Sequence, residues 1–256
     1  MHIPTPIRLK LFRQWALATL GLKRNVHLKL TKEAGVLYIH FEGKQHAIPD
    51  ILRWKVYRRG WVSRTNELKA AYGVGRYFNL NRQSVVIDIG ANTGDFTLGV
   101  ASLCKSVYCF EPDPKAHKCL TLNLAKSPNV EIVRKGVWKK DETISFGLET
   151  ARADSSVFSQ AIERVEIDGI TLDSFIKEKE INRVALVKCD AEGAEPEVLQ
   201  GALASASLID GFAFDTGAER AGQCTDKECE ELLRSYGYKT FTEVAGGRQM
   251  TYGLRP

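Results

Sequence analysis

From Ser84 onward, short and almost wholly apolar runs alternate with longer mixed stretches, a pattern that predicts buried parallel strands separated by helices. The strands read as VVIDIG (85–90), SVYCFE (106–111), VEIVRKGV (130–137), VALVKCD (184–190) and GFAFDT (211–216). Asp113-Pro114 and Glu195-Pro196 open helices between them, with proline in the first turn, where its missing N–H goes unneeded. Thr225 with Glu228 has the spacing of a capping box, and Gly237 ends that helix. KTFTEV and QMTYGL flank Gly246-Gly247 and predict an antiparallel hairpin at the end of a doubly wound α/β sheet. Residues 138–183 form an insertion before the fourth strand, holding strand-like TISFGLE and VEIDGI and a helix from Thr171.

Residues 1–80 lack this alternation and read as an extension packed on the main domain, 81–256. LYIHFE is strand-like, Pro49 breaks regularity, and ILRWKVYRRGWVSRTNELKAAYGV is helical with an interruption at Gly60. Residues 7–24 mix apolar and basic side chains on one predicted helix. That helix packs on its own domain, pairs with a second copy as a homodimer, or rests on a membrane surface. Lys10 and Arg13 interrupt its apolar residues, unlike a signal peptide, and Trp15 to Leu22 is too short to span a bilayer.

The composition, 44% apolar and 26% charged, is that of a soluble globular chain. A net charge of +5 is mild, and no basic run interleaved with aromatics argues for nucleic acid. The six cysteines form no CxxC pair, and no histidine stands at zinc-like spacing. Cysteine in VYCF and LVKCD is a small buried hydrophobe, which fits a reducing cytoplasm.

The informative chemistry lies in VVIDIGANTGDF. A buried strand reaches Asp88, and Gly90 and Gly94 bracket Asn92 in a turn that leads into a helix at Asp95 and Phe96. The dinucleotide fingerprint asks for GxGxxG with a pyrophosphate on the helix N-terminus. Here the spacing is Gly-x-Asn-x-Gly, followed by Asp95. An acid at a helix start repels phosphate but suits a ligand carrying an ammonium, such as S-adenosylmethionine. Glu111-Pro112 ends the second strand, where a carboxylate accepts ribose hydroxyl protons; NAD enzymes share this feature. Gly136, Val137 and Trp138 end the third strand, with Trp138 placed either to flank an adenine or to fill the core.

With DIGANTG, FEPDP, Asn123-Leu124 and CDAEGAEPEVLQGA in view, the chain resembles the FkbM family of methyltransferases from about Val85 to Tyr238. Thr171-Leu172-Asp173 and Asp154-Ser155-Ser156 resemble further elements of that family. The resemblance implies a Rossmann-like methyltransferase sheet, S-adenosylmethionine as cofactor, and O-methylation of a sugar, glycan or other hydroxyl-bearing small molecule. Methylation of an amine or protein nitrogen, and a fold kept for binding without catalysis, are the alternatives. Many members carry a Glu-x-His-like ending after the fifth strand. Here AFDTGAER keeps the acidic Asp215 and lacks the histidine.

An alcohol needs a base near its proton, and the candidates cluster in Lys188, Asp190, Glu192 and Glu195. Asp190 ends the fourth strand as a cofactor-side or base residue, and Glu192 lies toward the acceptor. Lys188 shares a strand face with Asp190. It either forms a structural ion pair or serves as base if burial lowers its pKa. Glu195 reads as a helix N-terminal residue. Asp190, Glu192 and Asp215 would suit Mg²⁺, but nothing in their spacing requires it, and no metal is assigned. Arg59, Arg64, Arg76 and Tyr77 are candidates for an anionic group on cofactor or substrate.

Overall fold

The computed structural model describes residues 9, 12, 13, 29–41, 43–149 and 155–256. The basic stretch 7–24 and Asp154 lie, apart from Leu9, Phe12 and Arg13, outside the described residues. Among the described residues no helix is long and apolar enough to cross a membrane.

An antiparallel sheet comes first, formed by β1 (Lys29–Glu33), β2 (Val36–Phe41) and β3 (Lys44–Ile48). A 3-10 turn at Ile51–Tyr57 and helix α1 (Trp61–Ala71) follow, broken from each other at Gly60. Then come β4 (Val85–Ile89), α2 (Asp95–Val100), β5 (Ser106–Phe110), α3 (Pro114–Leu124) and β6 (Val130–Val133). The insertion holds β7 (Gly136–Val137), β8 (Thr143–Gly147), β9 (Arg164–Ile170) and α4 (Leu172–Glu178). The chain returns through β10 (Leu186–Cys189), α5 (Glu195–Gln200), β11 (Gly211–Asp215) and α6 (Asp226–Ser235). It closes with the hairpin β12 (Lys239–Ala245) and β13 (Arg248–Leu254).

The main sheet has seven strands in the order β12-β13-β11-β10-β4-β5-β6, parallel from β11 to β6 and antiparallel where β13 joins β11. Its central strands are buried on both faces, which is why they read as continuous apolar runs. Alternate residues feed two cores. Ile87, Val187 and Phe212 face α4, α5 and α6 through Phe175, Val198 and Leu233. Val86, Leu186 and Ala213 face Phe96 and Leu120 from α2 and α3, together with Leu68 and Tyr72 from the N-terminal segment.

Two expectations need correction. The third strand is not continuous: Val130–Val133 edges the main sheet, while Gly136–Val137 pairs with β9 in a separate three-stranded sheet. Gly136 packs so closely there that a Cβ would lie 2.9 Å from Ile167 Cδ1. Thr225 does precede α6, but its side chain makes no capping bond and donates to Glu195 Oε2 instead, at 2.9 Å.

The N-terminal segment is more β-rich than its sequence predicts, because β1 and β3 are polar strands with little periodic signal. It has a small core of Ile39, Phe41, Ile48, Trp54, Tyr57 and Trp61. Asn123 of α3 ties it to the main sheet. Its Oδ1 accepts from Ala47 N at 2.7 Å, and Nδ2 donates to the carbonyls of Ala47 and Thr93 at 3.0 and 2.9 Å. Replacing Asn123 by alanine strands these backbone groups and should cost on the order of 2 kcal/mol. Thermal unfolding should show Tm lowered by roughly 4–8 °C; an unchanged Tm would mean the clasp contributes nothing.

Candidate active site

The loop after β4 takes its shape from left-handed backbone at Gly90 (φ +68°), Asn92 (+49°) and Gly94 (+89°). A Cβ on Gly90 would overlap the carbonyl oxygen of Asp190, so glycine is what lets the ends of β4 and β10 meet. Beneath this turn lies Lys188, the register partner of Asp88 across the two strands. Its ammonium reaches Asp88 Oδ1 at 2.8 Å and the carbonyls of Ile89 and Gly90 at 2.9 Å each. The ammonium thus donates to two carbonyls and is ion-paired with the Asp88 carboxylate. Burial works to lower its pKa, yet the charges of Asp88 and Asp190 hold it above the ordinary value. Lys188 is therefore favoured as a cation that organises the loop. Its ion-pair partner is Asp88, not Asp190.

Asp88 is fully buried, accepts from the Thr97 hydroxyl at 2.6 Å, and does not line the cavity. It shapes the cofactor loop from below rather than touching a ligand. Asp95 also departs from expectation. Its carboxylate receives Tyr57 OH and Arg64 Nε, each at 3.0 Å, and lies 3.1 Å from His46 Nε2. Burial opposes ionisation here, but His46 and Arg64 outweigh it and hold the carboxyl well below the usual range. Its charge is matched by Arg64, so Asp95 anchors the N-terminal segment to the loop. Phe96 packs edge-on against Tyr72, with ring centroids 5.4 Å apart.

Glu111 fits its expected place. Oε2 accepts from Asn92 N at 2.7 Å and Oε1 from Asp113 N at 2.9 Å, which orients the carboxylate and leaves a lone pair on each oxygen. Burial pushes its pKa up to about 7. Asp113 caps α3 as expected, accepting from Lys115 N and Ala116 N, and also receives the Ser155 hydroxyl at 2.9 Å.

A cavity of about 740 Å³ opens outside the carboxyl ends of β4, β5, β10 and β11. Gly90, Asn92, Asp95, Phe96, Glu111, Pro112, Gly136, Val137 and Trp138 line it, as do Lys188, Asp190 and Glu192. Trp138 is buried, with Nε1 donating to Glu142 at 3.2 Å. Glu195 starts α5 as expected and straps the preceding turn by accepting from Ala191 N and Gly193 N. In the Thr171-Leu172-Asp173 element, Thr171 caps α4 and Asp173 accepts from Ala204 N and Ser205 N, a structural duty.

At the far wall Asp190 Oδ2 accepts from Tyr72 OH at 3.0 Å and Arg248 Nη1 at 2.9 Å, while Oδ1 has no hydrogen-bond partner among the described residues. Burial opposes its ionisation, but Arg248 and Lys188 outweigh it and hold the carboxyl below its ordinary value. That makes Asp190 a poor base. Arg248 also bonds Asp215, and a third carboxylate, Glu219, comes within 4.8 Å of the other two. Glu219 thus takes the place expected of Glu192 in this trio, and a guanidinium already stands between Asp190 and Asp215. Tyr72, Glu219 and Arg248 went unnoticed in the sequence, where nothing marks them. Of the upstream candidates Arg64 reaches the cavity; Arg76 and Tyr77 bind Glu243, and Arg59 binds Glu67.

These features define a ligand site at the carboxyl ends of a doubly wound α/β sheet. It has an oriented, buried carboxylate at the end of β5, a strand-end cradle that a Cβ would fill, and no third glycine for a pyrophosphate. Residues 88–240, more than half the chain, match the family described as "Methyltransferase FkbM domain", and the chain belongs to that family. Its cofactor is S-adenosylmethionine. The hexuronic acid methyltransferase AglP of Haloferax volcanii is 30% identical over 118 residues, 46% of this chain and 49% of that protein. A probable cobalt-precorrin-6B C(15)-methyltransferase of Methanocaldococcus jannaschii is 35% identical over 82 residues, 32% of this chain and 43% of that one. The matches therefore span less than half the length of either relative. Among solved structures, Aeropyrum pernix fibrillarin with bound S-adenosyl-L-methionine superposes with a TM-score of 0.45 at 12% identity, covering 91% of this chain and 100% of that one. Geobacter metallireducens precorrin-6y C5,15-methyltransferase gives 0.44 at 12% identity, covering 70% and 85%.

Two outcomes follow for the cofactor loop. Lys188→Met leaves Asp88 buried and unpaired and should destabilise the protein by about 3–5 kcal/mol in denaturant unfolding, with much of that loss recovered by adding Asp88→Asn. The ionised form of Glu111 is the better acceptor for ribose hydroxyls. S-adenosylhomocysteine should therefore bind more tightly as pH rises through about 7. Calorimetric titration of Glu111→Gln should show both weaker binding and the loss of that pH slope.

Proposed function

We propose that the protein transfers a methyl group from S-adenosylmethionine to a sugar hydroxyl, with hexuronic-acid-containing glycans as the first acceptors to try. The observation that carries this reading is the composition of the cavity wall beyond the cofactor loop. There the insertion contributes Ser155, Ser156, Ser159 and Gln160 beside Trp138 and Phe158. The Phe158 ring lies 6.2 Å from that of Trp138 and is covered by the Arg220 guanidinium at 4.1 Å. Hydroxyl and amide groups beside aromatic faces suit a polyol with one apolar side. The hexuronic acid methyltransferase among the relatives supports the same acceptor class. Five buried free cysteines support a reducing cytoplasmic setting.

In this reading Glu111 accepts the ribose hydroxyls, and Gly90 lets the nucleoside approach the backbone. Asp190 lines the cavity where the cationic end of the cofactor would lie. The bound cofactor supplies an electrophilic methyl group. The chain's part is mainly positioning, which contributes roughly 7–11 kcal/mol when nucleophile and methyl are aligned.

Incubation with S-adenosylmethionine and panels of glycans, free uronic acids, amines and peptides, read by mass spectrometry, should give a single added methyl on the uronic-acid set. The methyl should survive mild base, as an ether does and an ester does not. Methylation confined to amines or peptides would sink the hydroxyl reading.

A further inference from the structure

Where β10 and β11 end, the cavity collects more acid than base. Asp190, Asp215 and Glu219 bring carboxylate oxygens within 4.8 Å of one another. Glu192 and Glu195 add to the negative field at Glu219. The opposing cation is Arg248, delivered by the hairpin turn and bonded to Asp190 and Asp215. Arg220, next in the chain, turns away to Glu197 and the Gly193 carbonyl. Glu219 lines the cavity with its Oε2 buried and without a hydrogen-bond partner among the described residues.

We propose that Glu219 is the general base of the methyl transfer, and that the positive charge of the bound cofactor decides when it is ionised. Burial first, then Asp190, Glu192, Asp215 and Glu195, push its carboxyl up to about 11 in the free protein, so it carries a proton at neutral pH. S-adenosylmethionine has one net positive charge, and S-adenosylhomocysteine has none. A cation entering beside this cluster favours the carboxylate, and Glu219 releases its proton to solvent. It then takes the proton of the acceptor hydroxyl as the O–CH₃ bond forms and the S–CH₃ bond breaks, the bonding pair remaining on sulfur. The products are a methyl ether, a neutral thioether and a protonated Glu219. Cluster and cofactor lose their opposite charges in one step, so neither is left uncompensated. The base role rests on the hydroxyl acceptor proposed above; the ionisation by cofactor charge does not.

The test counts protons by calorimetry, titrating each ligand in two buffers of different ionisation enthalpy at one near-neutral pH. S-adenosylmethionine should release about one proton more than S-adenosylhomocysteine. Groups that respond to both ligands, Glu111 among them, cancel in this difference. Glu219→Gln, which keeps the shape of the protonated acid, should abolish the difference while binding S-adenosylhomocysteine within a few-fold of the natural protein. Equal proton counts in the natural protein overturn the proposal without any variant. An excess that persists in Glu219→Gln overturns it too, assigning the proton to Asp215 or Glu195. With an acceptor identified, Glu219→Gln at saturating S-adenosylmethionine should turn over about 10²–10⁴-fold more slowly, and undiminished turnover would remove the base role. An amine product in the acceptor panel would defeat the hydroxyl reading while leaving the proton count as it stands.

Discussion

Everything at this site depends on one buried ion pair. Asp88 and Lys188 face each other across β4 and β10, on a sheet face otherwise filled with apolar side chains. A charge there is costly unless every proton and lone pair finds a partner. Lys188 is ion-paired with Asp88 and donates to the carbonyls of Ile89 and Gly90. The pair thereby sets the path of the backbone as it leaves β4. That path makes Asn92 N available to Glu111 and brings Gly90 against the Asp190 carbonyl, which joins the ends of three neighbouring strands.

The remaining charge divides along the cavity. At the loop end two buried acids are matched: Asp88 with Lys188, and Asp95 with Arg64 and His46. At the β10–β11 end Asp190, Asp215 and Glu219 stand close together, with Arg248 bonded to the first two and Lys188 behind Asp190. A zwitterion carrying an extra sulfonium charge fits this gradient, since its cationic part compensates the unmatched end. The separation arises because the two ends are closed by different parts of the chain. The N-terminal segment closes the first with Tyr57, His46 and Arg64, and the terminal hairpin closes the second with Arg248.

Much of this was legible in the residues themselves. The parallel strands, the hairpin, the strap formed by Glu195 and the Asp113 cap follow from periodicity and local chemistry, which act over a few residues. Gly90 and Glu111 follow from the rule that ligands meet such sheets at strand ends. Asp95 lines the cavity as expected, but its partners were not legible: an acid at a helix start looks the same in sequence whether it faces a ligand or an arginine from a distant helix. Lys188 was half legible. Its strand face was correct, but its partner lay on a strand about a hundred residues away.

What the sequence determined by itself was the order of strands and helices, the class of cofactor and the family, because those depend on local periodicity and a contiguous loop. The tertiary structure alone decided which charges are neutralised and which are left to act. Coulombic matching depends on distances of a few ångströms between side chains remote in the chain, as Arg64 with Asp95 and Arg248 with Asp190 and Asp215 demonstrate. By that measure Glu219, unmarked in the sequence, stands out as an acid with no ion pair among the described residues, whereas Lys188 and Asp190 are held in their charged forms.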